Sequence, residues 1–165
     1  MKNNILKLIS LVIILAISAW AFYILQNPQK KSAVNFITDK KCGEYVQKEV
    51  DINNNIIKVL ISDTDCKKTQ GLSGVKSLKD SEGLLFVFDK AGNYGFWMKD
   101  MLFPIDILWI GDDFKIVGVE KSLSTSSYPN IFGEKYKAMY ILELSSGYSV
   151  KNNIKVGDPL VFHNK

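Results

Sequence analysis

The sequence predicts a mostly β fold, a small barrel or sandwich-like arrangement of about eight short strands with one short helix, preceded by one N-terminal transmembrane helix. Three observations predict it. An uncharged apolar run occupies residues 8–25. Beyond it the chain breaks into short apolar or β-branched runs bounded by Gly, Asn, Asp and Ser, the pattern of strands and turns. Helix start and stop signals bracket one short segment only. A length of 165 residues suits one domain plus an appendage.

Residues 1–27 are read first. The apolar run is interrupted only by Ser10 and Ser18, and Ile5 and Leu6 extend it past Lys7. At about 1.5 Å per residue in a helix, such a run spans a hydrocarbon core of roughly 30 Å. Trp20 and Tyr23 lie toward its far end, where aromatic residues meet the membrane interface. Asn27 and Pro28 end it. Two readings compete with an uncleaved anchor. A secretory signal would use Lys2 and Lys7 as its basic start and Ala19-Trp20-Ala21 as a small-x-small cleavage site, but the apolar run continues past that site. A core helix would carry a polar stripe, and none is present. The expectation is a membrane contact through residues 5–25. Lys2 and Lys7 favour a short N-terminus inside, although Lys30, Lys31, Lys40 and Lys41 dilute that bias. The soluble domain is expected on the extracytoplasmic side.

Residues 28–44 are polar and read as a linker, and residues 45–165 as the β-rich domain. Within it, residues 46–50 and 56–61 form two strands around the turn residues 51–55. Ser62, Asp63 and Thr64 offer an N-cap for a helix running to about Gln70, with Gly71 as its stop. Residues 84–88 are a continuous apolar run and read as a buried strand. A turn follows at 89–93, then strands at 95–99, 105–110 and 115–120, the last two joined through Gly111-Asp112-Asp113. Residues 122–135 are a long loop, and residues 138–144 and 159–162 the final strands. Cys42 and Cys66 both lie in the soluble part; in an oxidising compartment they can pair, contributing about 2–4 kcal/mol, and otherwise they are two free thiols.

Charge and motifs exclude several classes of function. The net charge is +4 from 21 basic and 17 acidic residues. Every basic residue is lysine. Arginine is the usual bidentate reader of phosphate and guanine, and its absence, with Lys mixed evenly among Asp and Glu, argues against nucleic-acid binding. The single histidine is His163, near the C-terminus. No G-x-S-x-G, phosphate-binding loop or H-E-x-x-H occurs, and two cysteines with one terminal histidine suit no zinc site. No cofactor and no metal are expected, and no recognisable catalytic motif identifies an enzyme.

The stretch that invites chemistry is FWMKDMLFPIDILWI, residues 96–110. It crowds large soft side chains around Lys99 and Asp106. Strand alternation places Asp106 on one face with Leu108 and Ile110, so an inward face would bury a carboxylate that needs a partner, for which Lys99 is the candidate. Glu143, between Leu142 and Leu144, poses the same problem. These charges either pair internally or lie on a solvated face, or else Trp97, Lys99, Asp106 and Glu143 line an aromatic-walled ligand pocket. A third reading makes Asp106 and Glu143 the acid–base pair of an envelope hydrolase acting on glycan, which requires carboxyls about 5–9.5 Å apart.

At these residues the chain resembles a known family, the bacterial and archaeal domain of unknown function 192. The landmarks are Gly71-Leu72, residues 82–88 (EGLLFVF), Phe96-Trp97-Met98-Lys99, residues 104–108 (PIDIL), Leu142-Glu143-Leu144 with Gly147, and Gly157-Asp158. The resemblance implies a compact β-rich fold, commonly behind a signal or anchor, with no settled biochemical activity. Ser73 and Val75 depart from a Met and an Arg common after Gly-Leu, and Ser145-Ser146 from a Pro-Ala. The expected function is that of a membrane-anchored extracytoplasmic β-domain of unknown biochemical activity, a binding or accessory module for an envelope ligand or partner such as a glycan or a protein.

Overall fold

The computed structural model describes residues 16–18, 22, 36–37 and 41–163. The chain divides into two compact units, residues 1–33 and 34–165. The membrane helix expected over residues 5–25 lies outside the described residues apart from 16–18 and 22, which are helical. Among the described residues, no helix is long and apolar enough to cross a membrane.

The second unit is built on one seven-stranded sheet. Its strands are β1 (Gln47–Ile52), β2 (Asn55–Ser62), β3 (Glu82–Asn93), β4 (Ile105–Ile110), β5 (Ile116–Leu123), β6 (Lys137–Ser145) and β7 (Val161–His163). Their spatial order is β5-β4-β6-β3-β2-β1-β7. β2 and β3 run parallel, and the other neighbours antiparallel. The parallel pair follows from what joins it: α1 (Asp65–Gln70) and the loop after it carry the chain back across the sheet. No ladder joins the edge strands β5 and β7, so the expected barrel is an unclosed sheet. The edges are nonetheless tied at one point, by a bridge between Lys115 and Pro159 and by the Leu160 N–H donating to the Phe114 carbonyl at 2.8 Å.

Local chemistry accounts for most boundaries. β1 and β2 close on a two-residue turn in which Asn53 and Asn54 both have positive φ, 55° and 63°. That is the type I′ geometry whose twist matches a hairpin and that Asn tolerates well. Thr64 caps α1 by accepting from the Lys67 N–H, and Gly71, at φ 53°, stops it by donating to the Lys67 carbonyl. Cys42 and Cys66 are joined as a disulfide with Cα atoms 5.4 Å apart, which ties the start of the domain to this helix. Ile37, in the stretch read as linker, is buried in the core.

Two expected features differ. Residues 95–99 form no strand: the only ladder contact there is the exchange of both backbone bonds between Phe96 and Phe132, after which the chain turns through residues 98–101. Seven strands result where eight were expected. Residues 89–93, read as a turn, instead continue β3 past an irregularity between Val87 and Gly92. A second helix, α2 (Tyr148–Lys151), was not foreseen; with one turn, it has no room for apolar periodicity.

Both faces of the sheet are covered, which is why β4 is buried at every position. One face gathers Val50, Ile57, Val59, Leu85, Leu108, Ile110, Leu142 and Leu144 with Tyr148 of α2 and Leu160. The other gathers Leu60, Leu84, Phe86, Ile107, Trp109 and Ile141 beneath Leu72, Val75, Met98 and Met101. Burial of this kind contributes roughly 25 cal/mol per Å² of apolar surface removed from water. Trp109 sits fully buried on the second face and donates its Nε1–H to the Tyr94 carbonyl at 3.1 Å, so its one polar atom is satisfied.

Candidate functional site

The carboxylates Asp106 and Glu143 stand on adjacent strands but on opposite faces. In the β4–β6 ladder Asp106 faces Leu144 across the strands, whereas Glu143 faces Ile107. Positions one residue out of step in a strand pair project to opposite sides of the sheet. The two groups therefore cannot flank one scissile bond, and the acid–base pair drawn from them is not formed.

Asp106 is a structural bracket. It is fully buried, 0% exposed, and its two oxygens accept four hydrogen bonds. Oδ1 accepts from the N–H groups of Ser122 at 2.8 Å and Gly147 at 3.0 Å. Oδ2 accepts from the N–H of Ser149 at 2.8 Å and from its hydroxyl at 2.5 Å. One side chain thus joins β4 to the end of β5 and to the start of α2. Ser122 reaches it with a left-handed backbone, φ 51°, where the β4–β5 register slips. A carboxylate is what so many converging N–H donors require. Lys99, the partner expected from sequence, is not among them; it lies exposed on the turn after Trp97, and its carbonyl accepts from the Ser73 hydroxyl at 3.0 Å. Three of the groups that hold Asp106 are backbone, so no side-chain signal in the sequence announces them; Ser149 is the single one that could.

Glu143 is in the opposite situation. Its cross-strand neighbours are Leu84 on β3 and Ile107 on β4, both fully buried. It is 4% exposed, and its Oε2 makes no hydrogen bond. Burial pushes its carboxyl up to about 8, so below that pH it is a neutral acid. An unmatched carboxyl in such a place is costly, and a perturbed titratable group beside a cleft is a candidate for a functional site.

Glu143 lines a pocket of about 530 Å³. One wall is α1 and its exit, contributing Asp65, Lys68, Thr69, Gly71 and Ser73. The other is aromatic: Phe86 and Phe88 of β3, then Tyr94, Phe96 and Trp97. The rings brace one another. Phe88 and Tyr94 stack at 3.6 Å, Phe86 and Phe96 meet edge to face at 4.8 Å, and Trp97 leans on Tyr128 at 6.2 Å. The Lys68 ammonium lies 4.8 Å from the Phe88 ring centre. Trp97 is 55% exposed and forms part of the rim.

Of the four residues expected to share a site, the fold thus brings two together, Trp97 and Glu143. Asp106 belongs to the far face, and Lys99 does not line the pocket. Sequence reasoning missed the α1 wall and the contribution of β3. The β3 part was readable in principle, because Leu84, Phe86 and Phe88 share one face by alternation. The α1 part depends on the parallel β2–β3 connection, which no local pattern encodes.

Comparisons with known proteins agree with the fold and are silent on activity. No curated protein matches the sequence. A solved structure from Sinorhizobium meliloti 1021, described as a candidate transcription regulator, is similar with a TM-score of 0.68 and 23% identity, covering 72% of this chain and 95% of that one. A protein of unknown function from Novosphingobium aromaticivorans DSM 12444 is similar with a TM-score of 0.62 and 21% identity, covering 70% and 84%. The profile of DUF192, described as an uncharacterized ACR family, matches residues 46–162, which includes the sheet, α1, α2 and the pocket walls. The chain belongs to the DUF192 family.

Proposed function

We propose that this chain is a membrane-tethered binding or accessory module whose ligand, an envelope glycan or peptide, occupies the pocket between α1 and the aromatic segment 94–97. The observation that carries the reading is Glu143: a buried carboxyl with an unpartnered oxygen at the edge of an aromatic-walled cavity. Ligand sites are commonly concave, mostly apolar and furnished with a few convergent polar groups. The apolar run of residues 5–25 supports the tether, and Lys2 and Lys7 support an extracytoplasmic domain.

Ligand-observed NMR with the full chain against envelope glycan fragments and peptides tests the pocket. Thr69 is exposed and lines the mouth, so Thr69→Trp fills the entrance while leaving the core untouched. Binding is expected to vanish in this variant with unchanged thermal stability. A ligand bound equally by the variant sinks the assignment. The tether is tested by alkaline extraction of membranes: the chain is expected to stay in the pellet, and release into the supernatant with its N-terminus intact refutes it.

A further inference from the structure

We propose that the ligand of this pocket presents a primary ammonium group on an apolar or aromatic body, with the cation against the Glu143 carboxylate and the body against Phe88, Tyr94 and Trp97. The inference rests on the preceding reading that the pocket binds a ligand, and names the chemistry of that ligand.

The carboxyl of Glu143 has hydrocarbon on both sides, Leu84 and Ile107, and among the described residues no cation pairs with it. Burial acts alone on its protonation, without any opposing positive neighbour. Among the described residues this desolvated acid therefore lacks the counter-charge that normally accompanies one. An ammonium supplies the missing charge and hydrogen-bond donors to the carboxylate where Glu143 lines the pocket. The adjoining wall suits the same ligand, since ring faces attract cations. The protein already shows this locally: the Lys68 ammonium sits 4.8 Å from the centre of the Phe88 ring. The other ionisable groups at the pocket are few. Asp65 and Lys68 come from α1 and oppose each other in sign, and the Tyr94 hydroxyl is turned away, donating to the Lys90 carbonyl at 2.7 Å. On the flanking strands Leu84 and Ile107 stand directly opposite Glu143, and the charged group on that face of β3 is Glu82, two positions from Leu84, whose carboxylate is taken up by the Lys79 ammonium at 3.1 Å and the Lys79 N–H at 3.2 Å.

The pH dependence follows from the proton that Glu143 must release. Free, the carboxyl holds its proton up to about pH 8; an incoming ammonium favours the ionised form. Affinity therefore rises with pH until the amine itself begins to lose its charge. From pH 6.5 to 8.5 the ionised fraction grows roughly 20-fold.

Calorimetric titration of the full chain with phenethylammonium, and with phenethyl alcohol as the uncharged counterpart, tests the inference. The amine is expected to bind more tightly than the alcohol, with affinity rising about 20-fold between pH 6.5 and 8.5, and Glu143→Gln is expected to abolish both the preference and the slope. Equal, pH-independent binding of the two probes overturns the ammonium assignment and leaves the pocket reading standing. Binding of neither at millimolar concentration overturns the ammonium assignment, while the pocket reading stands or falls on the separate Thr69→Trp comparison with glycans and peptides. An amine preference that survives Glu143→Gln assigns the cation to Asp65 and overturns the role of Glu143. The wild-type comparison of the two probes decides the matter even if the variant folds poorly.

Discussion

The raised carboxyl of Glu143 makes the stability of the domain fall as pH rises through the neutral range. The group stands at 4.5 in the unfolded chain and at about 8 in the fold. Below pH 4.5 both states hold the proton, and Glu143 contributes no slope. Between 4.5 and 8 the folded state binds a proton that the unfolded state has released, so each pH unit costs about 1.4 kcal/mol. Above 8 both states are ionised and the slope vanishes. From pH 5.5 to 8 the loss is about 3 kcal/mol, which for a domain of this size lowers Tm by about 10 °C. Acids that act in the other sense do so elsewhere. Asp63 is held low by Lys67, Asp80 by Lys151, and Asp158 by the Asn53 amide. Their contribution is present above the ordinary carboxylate value and is lost only as pH falls through the acid range. The assay is thermal unfolding by circular dichroism from pH 5.5 to 9, on the wild type and Glu143→Gln. The variant, neutral at every pH, is expected to show a flat profile and to exceed the wild type by several degrees at pH 8.5. A wild-type Tm that is flat or rises between pH 5.5 and 8, or a slope that persists in the variant, refutes the reasoning.

The other predictions concern structure and recognition. Asp106→Asn replaces one acceptor oxygen with a donor facing N–H groups, so it is expected to destabilise the domain by about 2–4 kcal/mol in denaturant titration; an unchanged midpoint refutes the bracket. Gly133→Ala forces a Cβ onto the buried Trp109 indole from a backbone at φ 86°, and a loss of about 3 kcal/mol or more is expected. Counting thiols in the unreduced, unfolded protein is expected to find none, since Cys42 and Cys66 are joined; two would disprove the bridge. Trp97→Ala is expected to weaken ligand binding with little change in Tm, because the side chain is more than half exposed at the rim.

How much of this was legible in the sequence depends on the range over which each feature is encoded. The caps of α1 were readable because a helix end is satisfied within a few residues: Thr64 and Gly71 act on the same backbone they interrupt. The runs 56–61, 105–110 and 138–144 were readable because each contains enough apolar side chains to define a buried strand. The run 95–99 misled for the opposite reason. Phe96, Trp97 and Met98 have strand-like composition, but only Phe96 finds a backbone partner, and the chain there turns to cover Trp109 and Leu84 rather than extend the sheet. Composition favoured a strand, and tertiary context decided otherwise.

The two carboxylates carry this argument to the site. Asp106 and Glu143 look alike in sequence, each an acid set between aliphatic residues in an apolar strand. A register offset of one residue sends them to opposite faces, and the faces differ in what they supply. Toward Asp106 the sheet offers the start of α2 and the bulge at Ser122, whose N–H groups have no ladder partner and converge on one acceptor. Toward Glu143 it offers Leu84, Ile107 and a cavity. The first acid is satisfied within the chain, so its removal is felt as lost stability. The second is left with an unpartnered oxygen, a cost that the fold bears at neutral pH and that makes this group the candidate for contact with a ligand. It is this asymmetry, absent from the local sequence and created by register, that makes Glu143 and not Asp106 the residue on which a ligand would act.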